Sequence, residues 1–184
     1  MQVKNTKYYN DMDFDEYLKI KATSFSSLKD APIVPTEGMK LGSRVHAYIS
    51  EPEKYDWKDA EMVLPIAKAL RQHVGDAFQY MQKEVAFTSD FIHNGMVLHY
   101  KGRVDLLKAG RLVVDFKVLG GSVDAAIERF GYDKQLSGYC LGTYSLMGLI
   151  IAYNKLQKKV EVRAIKPNAS FWEYTTVQRG EPVN

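Results

Sequence analysis

The amino-acid sequence predicts one α/β domain: a mixed sheet with an antiparallel meander, a crossover helix and a further strand, flanked by helices. Three observations carry this. Apolar residues recur at helical spacing up to about residue 83. Between residues 85 and 119 they form three runs rich in Val, Phe, Leu and Tyr, separated by Asn94-Gly95 and Lys108-Ala109-Gly110. After Gly120-Gly121 the helical spacing returns, and Val160 to Ile165 alternates as a strand does. At 184 residues the chain has the length of a single domain, 1–184, with residues 1–23 expected as a peripheral N-terminal segment.

Phe14 to Ile20 and Ser24 to Lys29 read as short helices, with Ser24 and Ser26 as N-caps. Pro32 and Pro35 break the chain, and Gly38 opens a loop before a helix from Leu41 to Ser50 that Glu51-Pro52 ends. Asp59 is placed to cap a longer helix reaching Lys83, with a kink or a later start at Pro65. Val85 to Asp90, Val97 to Leu107 and Leu112 to Leu119 form the meander. A short helix over Val123 to Arg129 and a long apolar helix from Asp133 to Tyr153 follow, and Phe171 to Val177 is read as a last strand.

Leu136 to Tyr153 runs 18 residues without a formal charge and holds Gly138 and Gly142 at GxxxG spacing. Its Ser137, Thr143, Ser145 and several tyrosines favour a buried helix lying close against the sheet over a membrane span. No membrane association is expected. With 46% hydrophobic and 26% charged residues the chain has the material for a real core and is neither disordered nor fibrous. The single cysteine, Cys140, excludes an intramolecular disulfide, a CxxC zinc site and a four-cysteine iron–sulfur cluster, and suits a reducing compartment. A net charge of +3 permits a nucleic-acid partner without requiring one. The first residues show no apolar export segment.

The densest chemical signal is Gly102-Arg103-Val104-Asp105, followed by Asp115-Phe116-Lys117 at the end of the apolar strand Leu112-Val113-Val114. With a side-chain period of two, Asp115 and Lys117 share a face. The turn decides whether Asp105 joins them. A three-residue loop over Lys108 to Gly110, with Gly110 left-handed, would pair Asp105 with Val113 and make the two acids diagonal neighbours; a two-residue loop would separate them. Two convergent carboxylates are hard oxygen ligands suited to Mg2+ or Mn2+, and an adjacent lysine suits a water nucleophile or a phosphate charge. The plain reading is a surface ion pair on a strand and a hairpin charge.

Gly42-Ser43-Arg44-Val45-His46 precedes the meander and Gln135-Leu136-Ser137-Gly138-Tyr139 opens the helix after it. Together GSRVH, GRVD, VVDFK and QLSGY resemble the PD-(D/E)XK nuclease superfamily. The likeness is to its RecB-type branch with the phage recombination exonucleases of the RecE (exonuclease VIII) and lambda exonuclease kind, over roughly residues 24 to 166. The resemblance implies a restriction-endonuclease-like fold and a metal-dependent deoxyribonuclease. It implies that Asp105, Asp115, His46 and the backbone carbonyl of Phe116 hold Mg2+ or Mn2+, and that Lys117 is the catalytic lysine. It places Glu84 at a second metal, and Gln135 and Tyr139 along the site and its DNA; Arg103, close to the site in sequence, is a candidate to neutralise DNA phosphates. It further implies double-stranded DNA ends as substrate, a single-strand annealing protein as partner, a homo-oligomer, and the cytoplasm of a bacterial or phage-infected cell. Val118 stands where relatives often have threonine, and Val104 where the superfamily's name has proline. The rivals are a DNA-binding module of the same fold that does not cut, a hydrolase of small phosphate esters, and a membrane-anchored protein.

Overall fold

The computed structural model describes residues 1–28, 36–54, 58, 60–168 and 170–178. Lys29, Pro32, Pro35 and Asp59, to which the sequence assigns a helix end, chain breaks and a cap, lie outside them. Six strands form one sheet in the order β1 (Gln2–Tyr9), β2 (Gln82–His93), β3 (Met96–Lys108), β4 (Leu112–Leu119), β5 (Met147–Asn154), β6 (Lys159–Ile165). Neighbours are antiparallel except β4 and β5, which run parallel. That one parallel pair needs a crossover, supplied by α4 (Val123–Phe130) and α5 (Tyr132–Gly142). On one side of the sheet, α2 (Glu37–Ser50) and α3 (Ala60–Val74) enclose a core with Phe116 and Ile151. On the other, α5 and α6 (Ser170–Gln178) enclose a second core around Phe87, Tyr100 and Phe171. The predicted α/β class and the antiparallel meander hold.

Several elements differ from the sequence reading. The long helix expected to Tyr153 stops at Gly142, and its second half is strand β5. The reason is visible in the cores: Ile150 faces one and Ile151 the other. A parallel strand buried on both faces is a continuous apolar run, which periodicity does not distinguish from a buried helix. Phe171 to Val177 lies in helix α6 instead of a strand, with Phe171, Trp172 and Thr175 buried at helical spacing. Gly38 lies inside α2, because the Thr36 side chain caps the helix earlier by accepting the Met39 amide at 3.3 Å. Helix α3 runs through Pro65 and ends before Gly75, whose φ of +61° breaks it. Ser24 to Lys29 contributes a single short 3-10 turn, Ser26–Leu28.

The N-terminal segment is part of the sheet. Strand β1 pairs with β2, with a register shift between Lys4 and Lys7 where Asn5 takes φ +54°. Helix α1 (Phe14–Lys19) is then tied across β3. Lys101, 6% exposed, donates from Nζ to the carbonyls of Tyr17, Leu18 and Ile20 at 3.1, 3.1 and 2.9 Å. An ammonium at a helix C-terminus satisfies carbonyls that have no partner within the helix. The GxxxG pair of α5 serves close packing on two elements: a Cβ at Gly138 would lie 2.4 Å from Phe171 of α6, and one at Gly142 2.3 Å from Phe87 of β2. Among the described residues no helix is long and apolar enough to cross a membrane.

Candidate active site

The site forms where β3 and β4 part. Their ladder closes at Leu106↔Val114, and Asp105 and Asp115 occupy what would be the next rung. The sequence expectation of Asp105 beside Val113 is corrected: Leu107 holds that place, and the loop is Ala109 to Arg111. Gly110 is left-handed as expected, at φ +70°. The two acids therefore meet across the split rather than on a diagonal. There the Phe116 amide, beyond the last β3–β4 rung, donates to Asp105 Oδ2 at 2.6 Å.

His46 reaches the same carboxylate from α2, with Nδ1 3.2 Å from Asp105 Oδ1. One turn further along the helix, Ser50 Oγ donates to Glu84 Oε1 at 2.6 Å. Glu84 falls at the gap in the β2–β3 ladder between Lys83↔Leu106 and Val85↔Val104. Its φ of +50° is a strained conformation for a residue with a side chain. One ligand atom from each of His46, Glu84 and Asp105 lies within 4.8 Å of the others. Two carboxylates and an imidazole this close fit a divalent cation, since oxygen donors dominate and the negative charge exceeds that of the histidine. Beside this trio, Asp115 is the ion-pair partner of Lys117. Sequence reasoning gave Glu84 a separate second metal; the structure groups it with His46 and Asp105.

The charges are tightly balanced. Burial works against a charged His46, but the Asp105 carboxylate outweighs it and holds the ring's pKa up at about 8. Burial pushes Asp105 upward, yet His46, Lys117 and the Phe116 amide bring it below the ordinary carboxylate value. Asp115 is 4% exposed, and burial together with Asp105 raises its carboxyl against the pull of Lys117. Lys117 is held charged above the usual lysine value because Asp115 and Asp105 overcome its burial. Burial and Asp105 likewise raise Glu84, against Ser50 and Arg103.

Gln135 and Tyr139 lie one turn apart on α5 as predicted, and Gln135 Nε2 donates to Tyr139 Oη at 2.8 Å. Burial, with Tyr100 and Asp115 adding to it, lifts the Tyr139 hydroxyl well above its ordinary pKa. Arg103 is engaged within the protein: Nε lies 3.1 Å from Glu84 Oε2 and the guanidinium 5.6 Å from the Phe14 ring. Two neighbours escaped the sequence reading. Ser50 was legible only as His46 plus four on one helix face. Tyr132, whose ring centroid lies 4.9 Å from Lys117 Nζ, carried no signal. His73, His93 and His99, left outside the site, contact Ala69, Trp172 and Asp90.

No family model matches the chain, and no curated protein matches it. The fold itself has solved counterparts. It is similar to a structure from Eubacterium rectale named "Putative exonuclease", with a TM-score of 0.60 at 17% identity, covering 94% of this chain and 88% of that one. It is also similar to the protein SSO0001, with a TM-score of 0.50 at 15% identity over 91% of this chain and 83% of that one. An alkaline exonuclease from Laribacter hongkongensis aligns with a TM-score of 0.48 at 9% identity, over 90% and 91% of the two chains. The class shared with the Eubacterium rectale structure is one of fold alone, a mixed six-stranded α/β sheet with flanking helices.

Proposed function

We propose that the chain is a PD-(D/E)XK nuclease of the RecB-type branch, a divalent-metal-dependent deoxyribonuclease acting as an exonuclease on double-stranded ends in phage or prophage recombination or repair. The observation that carries this is the convergence of His46, Glu84 and Asp105 beside the Asp115–Lys117 pair at the strand split. Support comes from the fold shared with a structure named as an exonuclease. In this reading Asp105, Asp115, His46 and the Phe116 carbonyl hold Mg2+ or Mn2+, with Glu84 extending the acidic set. Such a cation, when bound, polarises the scissile phosphate and lowers the pKa of water.

The chain's own residues do the rest. Asp105 is oriented by the Phe116 amide and His46, and His46 would give up its proton on joining it as a ligand. Lys117 carries a fixed positive charge at Nζ, able to hold the attacking water in line or to balance charge developing on phosphate oxygens. The water oxygen bonds to phosphorus and gives up a proton to solvent as the bridging P–O bond breaks, and the leaving oxygen takes a proton from solvent. Gln135 and Tyr139 fix the wall of α5 against which the strand lies. Arg103 holds Glu84 in place, a role in addition to any phosphate contact.

The test is digestion of end-labelled linear double-stranded DNA with Mg2+ or Mn2+, beside circular and single-stranded DNA, EDTA, and the Lys117→Met and Asp105→Asn variants. Metal-dependent shortening from an end by the unmodified protein alone is the expected result. Salt-sensitive retention of DNA with no product under either metal would overturn it in favour of the non-cutting binding module.

A further inference from the structure

Beyond the metal-binding cluster, the surface next to Lys117 carries an arrangement that the hydrolytic chemistry does not use. Phe130 ends α4 and is 39% exposed. Tyr132 begins α5, and the two ring centroids lie 5.5 Å apart at an interplanar angle of 35°. Between them Gly131 takes φ +67°, ψ 34°, serving at once as C-cap of α4 and N-cap of α5. Its amide donates to the Ile127 carbonyl at 2.8 Å and its carbonyl accepts the Gln135 amide at 3.0 Å. A Cβ at this residue would sit 3.3 Å from Phe25 Cζ. The one-residue elbow is thus held from both helices, and it sets the two rings at a fixed angle. Tyr132 faces the Lys117 ammonium at 4.9 Å, and the Arg129 guanidinium lies 5.2 Å from the Phe130 ring.

We propose that Phe130 and Tyr132 form a stacking platform for an unpaired base of the strand being cut, next to the phosphate that meets Lys117. The inference rests on the nuclease reading above. Three features favour a base as occupant. The platform is continuous with Lys117, so a strand whose phosphate lies there runs past the rings. The two rings already lie 5.5 Å apart on a backbone elbow bonded to both helices, so part of the ordering that stacking requires is in place. The cations, Arg129 beside one ring and Lys117 beside the other, match the charge of a nucleotide. Stacking on one ring is open only to a base that has left its own stack, so the platform selects frayed ends or single strands at the point of cleavage.

The test is steady-state cleavage of linear double-stranded oligonucleotides in which one abasic residue is walked through successive positions of the cut strand from its end, using the unmodified protein, Phe130→Ala and Phe130→Trp. For the unmodified protein, an abasic residue at one position beside the cut bond is expected to raise KM about 5- to 150-fold, the equivalent of a lost base–aromatic stack. Phe130→Ala should raise KM by a similar factor on intact DNA with kcat retained, and show no further loss at that position. Phe130→Trp should restore the normal KM. Cleavage by Phe130→Ala at the unmodified KM, or an abasic penalty that persists in that variant, would overturn the platform while leaving the nuclease reading intact. If the unmodified protein cuts nothing with either metal, the nuclease reading fails instead.

Discussion

Replacing Lys117 by Met keeps the aliphatic stem against Tyr132 and deletes the charge that balances Asp115. Asp115 is buried and Lys117 half-buried, with side-chain exposures of 6% and 17%. Breaking such a pair from one side leaves an uncompensated charge and costs about 3–5 kcal/mol. In a chain of this length each kcal/mol moves the melting temperature by about 2–4 °C, so the variant should melt roughly 6–20 °C lower. The assay is thermal and urea unfolding in EDTA, which keeps added cations from replacing the ammonium. The loss must depend on pH in a defined direction. Asp115 is a carboxyl whose folded-state pKa is raised by burial and Asp105, and losing Lys117 raises it further. A raised carboxyl costs little below the unfolded value near 3.9 and progressively more as pH climbs toward the folded value. The gap between variant and unmodified protein is therefore small near pH 4 and largest toward pH 8. Adding Asp115→Asn should recover most of it. A Lys117→Met protein that melts within 2 °C of the unmodified one at pH 8, or whose deficit is the same at every pH, would refute this account of the charge balance.

Other parts of the fold give equally direct outcomes. Gly142→Ala sets a Cβ against the fully buried Phe87 ring and should cost about 1–3 kcal/mol in urea unfolding; unchanged stability would mean that α5 does not lie so close to β2. Lys101→Met leaves the three carbonyls at the end of α1 without their donor, and backbone amides of residues 14–20 should exchange with deuterium faster; unchanged exchange would show that α1 is held otherwise. The Cys140 thiol is buried and its pKa is pushed up to about 12 by burial, so at pH 8 only on the order of one thiol in 10,000 is ionised. A disulfide-exchange reagent should modify it only on unfolding, and rapid labelling of the native protein would contradict the packing of α5 on β5.

The meander was legible because its strands obey a local rule, period two between turn residues, and Leu112–Leu119 emerges with the bounds the sequence suggested. Asp105, Asp115 and Lys117 stood out for a related reason: charges at the end of an apolar strand have no place unless something pairs with them. Other features depend on partners far along the chain. Strand β5 is apolar throughout because both faces are covered, so its sequence matches a buried helix equally well. Strand β1 is an edge with a bulge at Asn5, and neither face supplies a clean alternation. Glu84 turns into the site through a positive φ that no residue type at that position announces. Tyr132 meets Lys117 only because Gly131 bends the chain between two helices.

The amide of Phe116 gives the strand split a spectroscopic handle. Its proton lies in a 2.6 Å hydrogen bond to the Asp105 carboxylate, so its chemical shift follows the charge on that oxygen. A single resonance in a nitrogen–proton correlation spectrum therefore reads the state of the cluster from within. Titrating Mg2+, lowering the pH and substituting Asp105 should each displace this one peak before the global fold responds, and Mn2+ should broaden it, which makes occupancy observable without any substrate.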